Sequence, residues 1–200
     1  MNRTGPSSFA FSPQYSEIHR PDPANPIVFH MWKKGPTESL VERDRSFRVR
    51  LDDNPIIVDL LTGKRQEGAA TKGDLRLSLK RPAGLLYPRT PYDWEFRIDA
   101  IDGGIVETTD VFPYRAPESG YEPGYKYALR TNMKIAGGAS AVKKYYFRGR
   151  NGTFYASLDI EVNSAADSSG EPWGAFYIRY RLNPHGSRNL EPDKSKKLNP

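Results

Sequence analysis

The sequence predicts an all-β domain, an antiparallel two-sheet β-sandwich of about ten short strands, with jelly-roll and immunoglobulin-like topologies both open. Three observations carry this prediction. Apolar and polar residues alternate with period two in segment after segment, which places successive side chains on opposite faces of a strand. Turn-forming residues separate these segments at short spacing. No stretch of about twelve residues keeps the apolar period of a helix.

Residues 1–25 contain Pro6, Pro13, Pro21 and Pro23, and Pro26 follows; fixed φ angles and missing N–H donors exclude a helix or a central strand there. The segment reads as an extended lead-in, with Ser7-Ser8-Phe9-Ala10-Phe11 as the last strand of a preceding domain. Residues 26–190 then read as the sandwich. Its clearest strands are Leu75, Leu77 and Leu79 alternating with Arg76, Ser78 and Lys80, and Tyr92, Trp94, Phe96 and Ile98 alternating with Asp93, Glu95, Arg97 and Asp99. Phe154, Ala156, Leu158, Ile160 and Val162, and then Phe176, Ile178, Tyr180 and Leu182, mark two more. Shorter candidates are 27–33, 46–51, 56–60, 105–109, 125–130 and 144–149.

Asp53-Asn54-Pro55, Thr62-Gly63, Asp102-Gly103-Gly104, Gly137-Gly138 and Asn151-Gly152 supply the turns between them. The longest irregular connection, 111–124, brings Phe112, Tyr114 and Tyr121, enough ring surface to pack on itself. Residues 191–200, rich in Lys and Pro, read as a disordered tail.

The composition is 37% hydrophobic with 12 Tyr, 9 Phe and 3 Trp, too aromatic for a disordered chain. With no Cys, disulfides, thiolate metal sites and a Cys nucleophile are excluded. No apolar run is long enough to cross a membrane as a helix, and residues 1–16 lack a signal-peptide pattern. The net charge of +6 is concentrated late: residues 121–200 hold 13 basic and 7 acidic side chains. Such an excess attracts polyanions without distinguishing them, and it also serves solubility.

Catalytic chemistry is sparse. His19, His30 and His185 stand alone, without metal-ligand spacing, and no Ser lies in a strand–turn–helix elbow. The acids Asp93, Glu95 and Asp99 share one strand face and Asp159 and Glu161 another, a pattern commoner on solvated strands than in glycosidase pairs. Asp99, Asp102 and Asp110 lack the regular ligand spacing of a calcium loop. No catalytic residue, metal or cofactor is therefore expected.

A binding surface is expected instead. A type I′ turn at Asn151-Gly152 pairs Arg150 with Thr153, Arg148 with Tyr155 and Tyr146 with Ser157 on one face, and Phe147 with Ala156 and Tyr145 with Leu158 on the other. The second face is the apolar one, so Tyr146, Arg148 and Tyr155 are expected to point to water, extended by Tyr177, Arg179 and Arg181 if the strand 173–182 lies beside the hairpin. Rings interleaved with guanidinium groups suit sugars or bases and their anionic groups.

Four stretches carry a family resemblance: Asp22-Pro23-Ala24-Asn25-Pro26-Ile27-Val28-Phe29 with Lys33-Lys34-Gly35; Val58-Asp59-Leu60 with Gly63 and Gly73-Asp74-Leu75; Pro91-Tyr92-Asp93-Trp94; and Leu182-Asn183-Pro184-His185-Gly186-Ser187-Arg188-Asn189-Leu190-Glu191. Together they resemble an uncharacterised family of bacterial envelope proteins, often lipoproteins or the part following a carboxypeptidase-regulatory-like β-domain. The resemblance implies an extracytoplasmic location, in the periplasm or cell envelope, but no activity. This chain departs from the lipoprotein members in having no acylatable Cys. The expected function is a non-catalytic binding or interaction module with a glycan or envelope protein as ligand. A purely structural accessory domain, a polyanion or nucleic-acid binder and a glycan-active enzyme are the competing readings, with nucleic acid and catalysis disfavoured.

Overall fold

The computed structural model describes residues 24, 31, 33–66, 72–82, 91–131, 139–164, 173–193, 195, 196 and 198. Among them ten strands form two antiparallel sheets, and all ten belong to the unit Trp32–Pro200. The strands are β1 (Val41–Arg50), β2 (Ile56–Asp59), β3 (Lys64–Gln66), β4 (Leu75–Lys80), β5 (Asp93–Ala100), β6 (Gly104–Glu107), β7 (Gly124–Arg130), β8 (Ser140–Gly149), β9 (Phe154–Asn163) and β10 (Trp173–Asn183). The first sheet runs β1-β10-β9-β8-β6 and the second β3-β2-β4-β5-β7; neither closes into a barrel, so the architecture is the expected β-sandwich.

Period-two patterning decides which faces meet. Phe47 and Val49 of β1, Leu158 and Ile160 of β9, Phe176 and Ile178 of β10 and Phe147 of β8 turn inward from the first sheet. Val58, Leu75, Leu77, Trp94, Phe96 and Ile98 answer them from the second. The Phe96 and Phe176 rings meet edge-on across the interface at 6.5 Å. Each such fully buried side chain stabilises the fold by roughly 1.5–3 kcal/mol relative to exposure.

The β8–β9 register matches the expectation: Arg148 pairs with Tyr155, Phe147 with Ala156, Tyr146 with Ser157 and Tyr145 with Leu158. The turn differs in one respect. Asn151 and Gly152 both have positive φ, 57° and 87°, as a type I′ turn requires, and the Thr153 amide donates back to the Arg150 carbonyl at 3.3 Å. Arg150 is left-handed as well, at φ 48°, which carries its side chain off the outer face and towards the second sheet.

Several expectations fail for identifiable reasons. β1 begins at Val41 rather than 46, and the inward Arg43 and Arg45 hid it: at the sandwich edge their guanidinium groups reach the Leu61 and Gly63 carbonyls. β3 has no apolar residue to signal it. Of the candidate strand 27–33 only residues 31 and 33 are described, and neither is in a strand. The lead-in and the Gly137-Gly138 turn lie outside the described residues, apart from Ala24.

The tail is ordered where it is described. Glu38 donates to the Glu191 carbonyl at 2.9 Å, Asp193 donates to the Glu38 carbonyl at 2.8 Å and Leu198 to the Leu40 carbonyl at 3.1 Å, so the chain end runs parallel beside the start of β1. Leu198 also packs on the core, which a disordered tail would not do.

Residues 108–123 cross the outer face of the first sheet. Glu122 pairs with Ile105 at the free edge of β6, and Arg115 pairs with Asn189 in the segment after β10. Ala116 and Leu190 are buried there together with Tyr146, and Val106, Tyr121 and Tyr155 pack around them. The connection does pack on itself, as expected, with Phe112 stacked on Tyr114 at 6.0 Å and the Tyr121 hydroxyl donating to the Pro117 carbonyl at 3.0 Å. It also packs on the sheet.

Candidate functional site

That strap changes what the outer face offers. Tyr146, expected in water, is only 4% exposed, and its hydroxyl donates to Asp110 Oδ2 at 2.6 Å. Burial, reinforced by that bond, raises the Tyr146 phenol well above the usual tyrosine range. Arg148 lies over the Tyr121 ring, 4.8 Å from its centroid, and Tyr155 is half-buried with Tyr121 6.4 Å away. Burial pushes the Tyr121 phenol up to about 12. These three residues therefore hold the strap to the sheet. Tyr177 and Arg179 remain exposed, Tyr177 at 44% and Arg179 paired at 3.3 Å with Asp44, further along the sheet where the strap does not reach. The five residues do not form one open patch.

Of the acids weighed as catalytic pairs, Asp93, Glu95 and Asp99 lie on the second sheet's outer face in ion pairs with Arg130, Lys126 and Arg97, whereas Asp159 and Glu161 lie on β9 of the first sheet. Asp110 receives Tyr146, and no group of three or more metal-binding side chains occurs among the described residues.

What the strap creates is a cavity of about 480 Å³, lined by Gly35, Pro36, Glu38, Tyr114, Arg115, Ser187, Arg188, Asn189 and Glu191. Three segments far apart in sequence make it: the chain before β1, the strap, and the connection leaving β10. A dense set of hydrogen bonds fixes their relative positions. Buried Asn183 donates through Nδ2 to Glu38 Oε2 at 2.6 Å and to the Asn189 carbonyl at 2.9 Å, while its Oδ1 accepts from the His185 amide at 3.0 Å. Ser187 Oγ donates to Glu38 Oε1 at 2.6 Å and accepts from the Asn189 amide at 3.1 Å. Asn189 Nδ2 donates to the Pro36 carbonyl at 2.6 Å, and its Oδ1 accepts from the Glu191 amide at 3.0 Å. The Glu191 carboxylate accepts from the Gly35 amide at 2.9 Å, and Gly186 supplies the left-handed turn, φ 75°.

Glu38 and Glu191 are thus committed to holding the walls. The groups aimed at the cavity are of another kind. Tyr114 presents a half-buried ring against which the Arg181 guanidinium rests at 5.3 Å. Arg188 is tethered by Nη1 to the Ala116 carbonyl at 3.1 Å and by Nη2 to the exposed Glu118 at 2.6 Å. Arg115 is exposed, and among the described residues its guanidinium has no hydrogen-bond or ion-pair partner. A ring, two cations and a floor of amide and hydroxyl groups can stack on a sugar face and bond its hydroxyl or carboxylate groups.

Sequence reasoning missed Tyr114 and Arg115, assigning their segment to self-packing. Gly186-Ser187-Arg188-Asn189 forms a turn that folds back on the sandwich, as its hydrogen bonds to Glu38, Ala116 and Pro36 show. The usable signal was the clustering of Asn, Ser and Glu from 183 to 191, a density of short polar side chains that bond the backbone locally.

Two further polar clusters join the sheets. Arg150 Nε donates to Asp74 Oδ1 at 3.0 Å and its Nη2 to Asp59 Oδ2 at 3.0 Å, while the Leu60 amide donates to Asp74 Oδ2 at 2.7 Å. Burial raises the Asp74 carboxyl above its ordinary value; the Leu60 amide and Arg150 pull against it without overcoming it. At the opposite edge Glu107 accepts from Lys143 Nζ at 2.6 Å and from the Tyr127 hydroxyl at 2.7 Å, with the Tyr145 hydroxyl donating to Tyr127 at 2.8 Å. Burial acts to raise the Glu107 carboxyl, and the bonds from Lys143 and Tyr127 outweigh it, so it lies below its usual value.

In comparisons with known proteins, no family model, no curated protein and no solved structure matches this chain.

Proposed function

We propose that the chain is a non-catalytic binding module of the bacterial cell envelope that takes a glycan in the cavity between residues 35–38, 114–115 and 187–191. The cavity carries this reading: its volume of about 480 Å³ lies within the range of small-molecule pockets, and it combines a Tyr114 ring with Arg115 and Arg188 over a hydrogen-bonding floor. The non-catalytic part rests on Glu38 and Glu191, the carboxylates in the lining, whose oxygens accept bonds that position the walls. The envelope location rests on the family resemblance of the sequence motifs.

A glycan array probed with the wild type, Tyr114→Ala and Arg115→Ala tests the reading. Tyr114→Ala lowers binding about fivefold or more, since loss of a stacked ring costs on the order of 1–3 kcal/mol. Arg115→Ala discriminates acidic from neutral sugars. Failure of the wild type to bind any glycan, or equal binding by both variants, refutes it. In that event the interlocked Asn183, Glu38, Ser187 and Asn189 side chains favour a second reading, a structural accessory domain whose last segment is built as a joint.

A further inference from the structure

The charged groups in and beside the cavity lining divide into those already matched and those left over. Glu38 accepts from Asn183 and Ser187, Glu191 accepts from the Gly35 amide, and Arg188 Nη2 meets Glu118 Oε1 at 2.6 Å. Asp193 is bonded by Ser195 and lies in the field of Lys196 and Lys34. Two groups remain. Arg115 in the lining and Lys33, two residues before Gly35, are exposed, and neither side chain has a hydrogen bond or ion pair among the described residues. Both are cations.

Arg115 differs from an ordinary surface arginine in how its backbone is held. The Ala116 amide donates to the Arg188 carbonyl at 2.9 Å and the Leu190 amide to the Tyr114 carbonyl at 2.8 Å, which sets Arg115 opposite Asn189. The Asn189 side chain is itself fixed at both ends, by the Pro36 carbonyl and the Glu191 amide. The root of the Arg115 side chain is therefore in a set position, while its guanidinium, a fork of donors, is left without an acceptor. Such a fork pairs with a carboxylate or another oxyanion through two parallel bonds. Resting on the reading that the cavity takes a glycan, we propose that the glycan is acidic, with its anionic group paired to Arg115 and drawn further by Lys33. The Glu38 and Glu191 carboxylates repel an anion seated on the floor, which puts the anionic group at the rim beside Arg115 and the uncharged part of the sugar against Tyr114.

The test is isothermal titration calorimetry of acidic oligosaccharides against their neutral parents at low salt: oligogalacturonate against oligogalactose, oligoglucuronate against oligoglucose, and sulfated oligogalactose as a third arm. At least one acidic sugar binds about tenfold or more tighter than its parent, the scale of one charge-assisted pair. That advantage shrinks as salt is raised, while affinity for the parent stays constant. Comparing the carboxylated and sulfated arms identifies the anionic group. Arg115→Ala abolishes the advantage and leaves affinity for the parent unchanged, Arg115→Glu reverses it, and Lys33→Gln reduces it by a smaller factor. Arg115→Ala keeps the wild-type melting temperature, because its side chain bonds nothing among the described residues. A parent that binds as tightly as its acid, an Arg115→Ala variant that keeps the advantage, or one that loses acid and parent alike overturns the acidic ligand. In those cases Tyr114→Ala, weakened for acid and parent together, keeps the glycan reading standing. Binding of no sugar in any arm refutes that reading, and this inference with it.

Discussion

Replacing Arg150 with Met tests whether the turn between β8 and β9 clasps the second sheet. Arg150 lies on the first sheet's hairpin, yet its guanidinium bonds Asp74 and Asp59 of the second, at 3.0 Å each. The Asp74 side chain is fully buried, so Arg150→Met leaves a carboxylate away from water with the Leu60 amide as its remaining strong donor. Stranding one partner of a buried pair costs about 3–5 kcal/mol. Arg150 itself is 42% exposed, so water shares the screening, and a loss of about 2–3 kcal/mol is expected. For a chain of this size that lowers the melting temperature by roughly 4–12 °C.

The pH dependence has a definite sign. Burial already raises the Asp74 carboxyl above its ordinary value of 3.8, so the folded state holds the proton more tightly than the unfolded state. The contribution to stability is full below that ordinary value and is lost as pH rises through the raised one. Removing Arg150 raises it further, so the destabilisation is largest near neutrality and shrinks towards pH 4. Urea titrations of wild type and variant at pH 4, 5.5 and 7 measure this, and Asp74→Asn combined with Arg150→Met should recover part of the loss. A cost below about 0.5 kcal/mol at pH 7, or one that does not change with pH, refutes the clasp.

Two other perturbations follow from the packing. Trp94→Ala empties a site at the centre of the core, where Trp94 is 2% exposed and 5.7 Å from the Phe96 ring, and should cost about 3–5 kcal/mol in urea denaturation. Asn183→Ala leaves Glu38 without its 2.6 Å donor and the Asn189 carbonyl without its 2.9 Å one. It should destabilise by about 1–3 kcal/mol and speed amide exchange at Glu38, Leu190 and Asp193, whereas exchange unchanged there would show that the joint does not depend on Asn183.

The sandwich and its faces were legible in the sequence because burial on one face of a strand writes a period of two. Leu75, Leu77 and Leu79, or Phe176, Ile178 and Tyr180, can be read directly. The Asn151-Gly152 register followed from turn chemistry and is correct. Which outer surface stays open was not legible, because it depends on where a long connection lies, and nothing in Tyr146 or Tyr155 records that residues 108–123 cover them. Tyr is apolar enough to be buried and polar enough to be exposed, so its pattern is silent on the choice. Arg43 and Arg45 misled for a related reason, being inward positions at an edge where a long side chain escapes to carbonyls. The cavity was illegible because its walls meet only through contacts far apart in sequence, such as Gly35 with Glu191 and Arg115 with Asn189.

The most direct test of the glycan-binding account is a nitrogen–proton correlation spectrum of the labelled protein titrated with an oligosaccharide selected on the array. Binding in the cavity predicts saturable shifts concentrated at the amides of Gly35, Glu38, Tyr114, Arg115, Ser187, Asn189 and Glu191, with Tyr177 and Arg179 unmoved. Shifts centred instead on Tyr177 and Arg179, or none at any site at millimolar sugar, would contradict it.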